Sequence, residues 1–164
     1  MADDKQTSTA KQILLQKIYI KDLSFESPRA PEVFKDKLAP QTQLSIKSAA
    51  KELAPDTQEV TLTVTVEAKD EDKVLFLVEL QQAGVFLVQG YTEQERHMLV
   101  GSYCPGTLYP FAREAIADMV TRGGFPQFLL QPINFDVLYA QAVRESASGD
   151  GEQTFGGEAP RETH

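Results

Sequence analysis

The sequence predicts an α+β fold in which helices cover one antiparallel sheet. Three observations lead to this prediction. The strand-like segments lie in the first 89 residues, and the helical patterns follow from residue 92 onward. The two clearest strand-like segments are joined by a link too short to hold the crossover that parallel strands require. Beyond residue 92 the spacing of apolar residues changes from two to three or four.

Four segments have the composition of strands, namely residues 13–25, 43–53, 59–66 and 73–89. In the third, EVTLTVTV, Val or Leu alternates with Thr, so the apolar side chains share one buried face. The polar link KDEDK at 69–73 makes the third and fourth segments an antiparallel hairpin. Ala83 and Gly84 predict a bulge or bend in the fourth segment. Residues 27–41 contain three prolines and predict a long extended connection.

The helical region begins with TEQERHMLVG, which predicts a short helix. Thr92 is its expected N-cap, and Glu95 completes a capping box. The Cys104-Pro105-Gly106 step is expected to end this helix. A longer helix follows, because apolar residues recur at spacings of three and four over residues 108–120 and form one stripe. Gly123-Gly124 is expected to end it.

The chain of 164 residues is long enough for one domain with a substantial core. After the loop FPQFLLQPI, residues 136–145 predict a last helix, so the folded domain covers 12–145. Residues 1–11 and the acidic, glycine-rich residues 146–164 lack apolar periodicity and predict disordered tails. The polar N-terminus does not resemble a secretory signal, and no apolar window reaches membrane-spanning length. A cytoplasmic protein is expected.

The composition disfavours several classes of function. A net charge of −8 opposes binding to nucleic acids or anionic membranes and suits a partner with basic patches. The single cysteine, Cys104, excludes an internal disulfide and is expected to be a buried small side chain. Of the two histidines, His164 lies in a predicted tail and His97 is expected on a helix surface. No glycine-rich phosphate loop opens a helix. The sequence therefore predicts neither an enzyme nor a protein with a metal or cofactor.

A weaker signal lies on the predicted sheet. Asp22 and Glu26 are four residues apart in the first strand, so their side chains leave the same face. Leu77 and Glu79 likewise share a face of the fourth strand, which is otherwise apolar on both sides. Such a face could bind a basic, partly apolar partner, or it could simply be solvated. The residue pattern alone leaves both interpretations open.

Several blocks of the sequence resemble the SecB family of bacterial export chaperones: KIYIKDLSFESPRAPEVF (17–34), FLVELQQAGVF (76–86), GSYCP (101–105), LYPFAREAI (108–116) and RGGFPQFLLQPINFDVLY (122–139). The blocks follow the family's order, and the resemblance covers nearly all of 12–142. It implies a four-stranded antiparallel sheet with a long helix and a shorter C-terminal helix on one face. It also implies a homotetramer, arranged as a dimer of dimers, in which first strands pair across the dimer.

The resemblance implies a function and two partners as well. SecB proteins hold newly made secretory precursors unfolded in the bacterial cytoplasm, without ATP, and deliver them to SecA, the ATPase motor of the Sec translocase. The family's SecA contact falls on Asp22, Glu26, Leu77 and Glu79 of this chain. The partner element is basic, which suits these carboxylates.

The other site residues that the resemblance implies are mostly apolar. The client groove falls on Phe34, Leu38, Ile46, Phe125, Phe128 and Leu129, and position 38 is Leu where familiar family members have Trp. Burial without a fixed motif would bind unfolded chains there. The surface between dimers falls on Val78, Leu80, Gln82, Phe111, Ala115 and Met119. Two alternatives stay open: a SecB-like chaperone dedicated to one client such as an antitoxin, and, with almost no residue support, a small-molecule enzyme.

Overall fold

A computed structural model describes residues 10–37 and 39–148, and the backbone of residues 155–158. At its centre is an antiparallel sheet whose described strands follow the order β1-β4-β3-β2-β5. The strands are β1 (Gln12–Glu26), β2 (Gln41–Ala54), β3 (Thr57–Asp70), β4 (Lys73–Gln89) and β5 (Phe155–Glu158). The first four correspond to the segments predicted from composition and alternation, and the predicted α+β class is confirmed.

β3 illustrates how alternation fixes the sheet. Every second residue from Gln58 to Ala68 is buried, because this face points toward the helices. The predicted hairpin from β3 to β4 is confirmed, and its turn consists of Glu71 and Asp72, with Glu71 at a φ of 53°. The hairpin from β2 to β3 turns at Asp56, which has a φ of 62°. Aspartate tolerates this left-handed backbone better than most side chains do, which suits Asp56.

β1, rather than β4, is irregular where these two strands pair. It carries an extra residue at Gln16 and at Lys21, where the pairing with β4 shifts by one. β4 is regular at Ala83 and Gly84, so the predicted bulge there is wrong. Gly84 instead permits a close approach, because a β-carbon at this position would lie 2.9 Å from Leu108 Cδ2 of the covering helix.

One helix of 30 residues covers the sheet and consists of α1 (Glu93–Met98), a π-helical turn (Leu99–Tyr103) and α2 (Cys104–Arg122). It begins with the predicted capping box, in which Thr92 Oγ1 accepts a hydrogen bond from the Glu95 amide at 3.2 Å. The predicted break at Cys104-Pro105-Gly106 is wrong. The Cys104 amide donates to the Leu99 carbonyl five residues back, and this wider turn accommodates Pro105, which has no N–H.

The core lies between the sheet and α2. The predicted apolar stripe of the long helix is confirmed, because Leu108, Ala112, Ile116 and Val120 are all buried. These residues belong to one core cluster with the inner faces of β3 and β4. The last helix, α3 (Phe135–Ala147), begins at Asn134, whose Oδ1 accepts from the amides of Asp136 and Val137, and it packs beside the π-helical turn. Among the described residues no helix is long and apolar enough to span a membrane.

The end of the chain contains more regular structure than the sequence predicts. β5 pairs with β2 in antiparallel orientation, with Gln43 opposite Glu158 and Ile46 opposite Phe155. The sequence predicts a disordered tail from residue 146 onward, whereas the described part of that segment includes this strand and the last turn of α3. The division into a domain at 12–145 and two tails stays a prediction.

Candidate partner-binding surfaces

The sheet face turned away from α2 brings the predicted acidic residues together. Leu77 lies opposite Glu26 in the β1–β4 pair, and Glu79 lies opposite Ser24, midway between Asp22 and Glu26. Opposed residues of an antiparallel pair point to the same side of a sheet. Asp22 and Glu26 are exposed, whereas Leu77 and Glu79 are half-buried. Asp22, Glu26, Leu77 and Glu79 thus form one continuous surface, the acidic patch.

β3 adds two neighbours to the acidic patch that the sequence analysis missed. Thr65 Oγ1 donates to Glu79 Oε2 at 3.4 Å, which fixes the orientation of that carboxylate. Glu67 lies opposite Leu77 on the β3 side, so Leu77 lies between two carboxylates. Glu67 also forms an ion pair with Lys69 at 3.0 Å. The alternation of β3 combined with the hairpin register would have identified both positions.

A separate polar cluster on the same face connects β1 to β3 across β4. The Tyr19 hydroxyl donates to the Glu59 carboxylate, and Lys21 Nζ donates to it at 3.0 Å. The hydrogen bond to Glu59 raises the pKa of Tyr19 to about 12, and the same bond, together with that from Lys21, lowers the pKa of Glu59. Tyr19 lies opposite Ala83, which has no exposed surface. These contacts hold β1, an edge strand, against the sheet.

Four phenylalanines meet where β1 and the long helix end, and they are called the aromatic cluster below. The ring centroid of Phe125 lies 5.0 Å from that of Phe76, 5.4 Å from that of Phe34 and 6.4 Å from that of Phe25. Phe76 is 5% exposed, whereas Phe34 is 51% exposed. The aromatic cluster therefore extends from the core to the surface. The sequence predicted Phe34 and Phe125 as site residues but missed Phe25 and Phe76.

Gly123 and Gly124 make room for the aromatic cluster. A β-carbon on Gly123 would overlap the ring of Phe25, and one on Gly124 would lie 3.1 Å from Phe34 Cε1. Gly124 also has a φ of 87°, in the left-handed region that favours glycine. The sequence predicts this pair only as the end of a helix. Its second role depends on tertiary contacts that no local pattern contains.

The other predicted groove residues differ in their exposure. Leu129 is 60% exposed, and Phe128 is half-buried against the core. Ile46 is 3% exposed and belongs to the core cluster, and its place in a client groove stays a prediction. Leu38 lies outside the described residues.

The residues predicted between dimers also fall into two groups. Val78 and Leu80 are fully buried beneath α2 of their own chain, and Gln82 donates from the interior to the Tyr19 carbonyl at 3.1 Å. Their own chain already covers these three side chains, and their place at an interface between dimers stays a prediction. Phe111 is exposed, and Ala115 and Met119 are half-buried. Phe111 and Ala115 line a shallow cavity of about 440 Å³ on the outer side of α2.

His97 and Cys104 both take part in packing between elements of the fold. His97 Nδ1 lies 2.7 Å from the Tyr139 hydroxyl, which connects α1 to α3. Cys104 has no exposed surface, and burial raises the pKa of its thiol to about 12. Within the part of the chain that the structure describes, no group of three or more His, Cys, Asp or Glu side chains could hold a metal ion.

Comparisons with known proteins identify the family to which the chain is similar. The family model described as SecB, preprotein translocase subunit SecB, matches residues 6–146. The chain is 46% identical to the protein-export protein SecB of Methylococcus capsulatus over 88% of this chain and 92% of that protein. It is 47% identical to the SecB of Nitrosococcus oceani over 90% and 95%, respectively. In fold the chain resembles the Mycobacterium tuberculosis SecB-like chaperone Rv1957, which was solved in complex with a peptide from the HigA1 antitoxin. The TM-score is 0.62, and the sequences are 16% identical over 74% of this chain and 90% of that one.

Proposed function

Because the chain belongs to the SecB family and is a protein-export chaperone, we propose that its two surfaces serve different partners. The aromatic cluster, with Phe128 and Leu129, binds unfolded precursor proteins. The acidic patch binds the SecA motor of the translocase. The chain acts in the cytoplasm without nucleotide, metal or catalytic activity, holding precursors unfolded until they are delivered.

The exposure of Phe34 carries the proposal for client binding. Half of this ring faces solvent although it belongs to a cluster that continues into the core. Together with Leu129 it offers apolar area to any chain that exposes similar groups. Full burial of one such side chain is worth only about 2 kcal/mol. A client must therefore contact several sites at once, which suits long unfolded segments and excludes folded proteins.

The register of the acidic patch supports the proposal for SecA. An apolar side chain between carboxylates matches a basic partner element that also carries apolar groups. The exposed Asp22 and Glu26 are expected to speed association, and the half-buried Leu77 and Glu79 to supply the contact that dissociates slowly.

Assembly as a dimer of dimers is supported by two surfaces that the described residues leave without a partner. β1 ends the sheet on one side, and its apolar residues Leu14 and Ile20 are each 48% exposed. An exposed apolar edge is an aggregation hazard for a monomer, and pairing with a second copy removes it. The outer side of α2 around Phe111 supplies the surface between dimers.

The test is a refolding assay without ATP. An unfolded, slowly folding client is diluted into buffer with or without the purified chain, and recovery of its native signal is followed by fluorescence. We expect the chain to delay refolding of the client. Light scattering of the purified chain alone should give the mass of about four chains. A stable monomer that leaves refolding unchanged would contradict both statements.

A second candidate is a chaperone dedicated to one client. The M. tuberculosis neighbour has this fold with an antitoxin peptide bound, so the fold is compatible with such a role. Against it, the complete acidic patch is present, which a chaperone without translocase duty need not retain. A pull-down that recovers one abundant protein, rather than many precursors, would favour the dedicated role.

A further inference from the structure

We propose that the β2 edge at Gln43–Ile46 is a strand-addition site, which the chain's own residues Phe155–Glu158 occupy until a client segment displaces them. The inference rests on the proposed client function. Its basis is the position of β5 at the end of the sheet, antiparallel to β2, with Leu44 opposite Gly157 and Ser45 opposite Gly156. Backbone pairing of this kind is independent of sequence, as a chaperone for many clients requires.

The site lies level with the aromatic cluster. Across the sheet Leu44 pairs with Val66, Val66 with Val78, and Val78 with Phe25 of that cluster. β1 and β2 are three strand spacings apart in this row, which is about 15 Å. About five extended residues span that distance. One unfolded segment could therefore contact the aromatic cluster and continue along β2, where Ile46 contributes its backbone rather than its side chain.

The pairing of β5 has the features of a displaceable occupant. The strand is four residues long, and two of them, Gly156 and Gly157, are of a residue type that is depleted in strands. β2 itself is 14 residues long, so most of its edge is left without a partner by the described part of the tail. A client strand with larger side chains and a longer register would outcompete β5, and in its absence the tail shields an edge that could otherwise pair with other chains.

The experiment compares three chains: the full protein, one ending at Ser148, and one ending at Glu158 as the matched control. Affinity for a fluorescent, unfolded client peptide is measured by anisotropy. The chain ending at Ser148 is expected to bind about threefold to tenfold more tightly than the full protein. The chain ending at Glu158 retains β5 and is expected to match the full protein. Equal affinity of all three chains, or weaker binding after truncation at Ser148, would overturn the inference.

Two further readouts separate this inference from the proposed function. The double substitution Gly156→Val and Gly157→Val should strengthen the β5 pairing and weaken client binding about threefold or more. Hydrogen exchange of the Gln43–Ile46 amides should be faster in the chain ending at Ser148 and slow again when client is added. If the Gln43–Ile46 amides exchange at the same rate in the full protein and in the chain ending at Ser148, the tail does not occupy this edge. This outcome rejects the inference even where client binding persists. Loss of client binding in every chain, with faster exchange after truncation at Ser148, rejects the proposed function and the client role of the edge, and leaves only its occupancy by the tail.

Discussion

The ring of Phe25 occupies the space in which a residue at position 123 other than glycine would place its β-carbon. Gly123 has an ordinary helical φ of −72°, so only this overlap requires glycine. We expect Gly123→Ala to displace the Phe25 ring and to lower the free energy of unfolding by about 1–3 kcal/mol. Urea unfolding followed by tyrosine fluorescence and circular dichroism measures the loss.

The matched control for this prediction is Gly106→Ala in the same helix. Its β-carbon would lie 3.7 Å from the nearest atom, Phe135 Cδ2, which is ordinary contact. Because alanine favours helix more than glycine does, this variant should gain up to about 1 kcal/mol. If both variants lost similar stability, the overlap with Phe25 would not be the cause.

Phe34 and Phe76 belong to the same cluster but are expected to respond differently to truncation. Phe34→Ala should leave the unfolding midpoint nearly unchanged, since half of the ring is already exposed, and should weaken client binding about fivefold. Phe76→Ala removes a ring that is 5% exposed and should cost about 3–5 kcal/mol of stability. Client affinity by anisotropy and unfolding by urea separate the two effects. A large stability loss in Phe34→Ala would show that this ring serves the core instead.

The acidic patch should respond to charge reversal at its half-buried carboxylate. Glu79→Lys places a cation beside the expected basic partner and should weaken SecA binding about tenfold or more while client binding is retained. Glu52→Lys makes the same change in net charge at an exposed position near the far end of β2 and serves as the control. Binding is measured by surface plasmon resonance at two salt concentrations. Equal effects of the two substitutions would point to overall charge rather than to the patch.

Cys104 offers a probe of opening of the long helix. It is the one cysteine of the chain, has no exposed surface, and its thiol pKa is raised to about 12. At pH 8 the native thiol should react with a maleimide at least ~10³-fold more slowly than the unfolded chain, whose thiol pKa is about 8.5. Because the pKa rises on folding, this group's contribution to stability is complete below pH ~8.5 and is lost as the pH rises toward 12. Rapid labelling of the native protein, counted by mass spectrometry, would contradict this burial.

The sequence predicts the sheet better than it predicts the helix and the surfaces. Alternation in β3 fixes its buried face, and the short polar link fixes the hairpin, because both depend on neighbouring residues. The prediction that the helix breaks at Pro105 was wrong, because the π-helical turn just before this residue leaves room for a proline, which has no backbone N–H to donate. The resemblance placed Val78 and Leu80 at an interface, but their exposure depends on where α2 lies, which no strand pattern contains.

Of the candidate surfaces, the acidic patch follows from spacing and register, so its members could be named from the sequence. The aromatic cluster could be identified only in part. Phe25 and Phe76 look like ordinary inward residues of two strands, and their meeting with Phe125 depends on a loop after the long helix. The tail strand could not be predicted at all, since Phe155-Gly156-Gly157-Glu158 has almost no local preference for a strand.

The unbroken passage of the long helix through Pro105 has a mechanical consequence. Thirty residues at 1.5 Å each make one continuous helix about 45 Å long. Near its first turn Arg96 is ion-paired with Asp56 of the β2–β3 hairpin, and at its last turn Gly123 is seated against the Phe25 ring. The same helix therefore links the Phe25 ring to the β2–β3 hairpin at the opposite end of the sheet, so we expect a displacement of that ring to strain the Arg96–Asp56 ion pair as well.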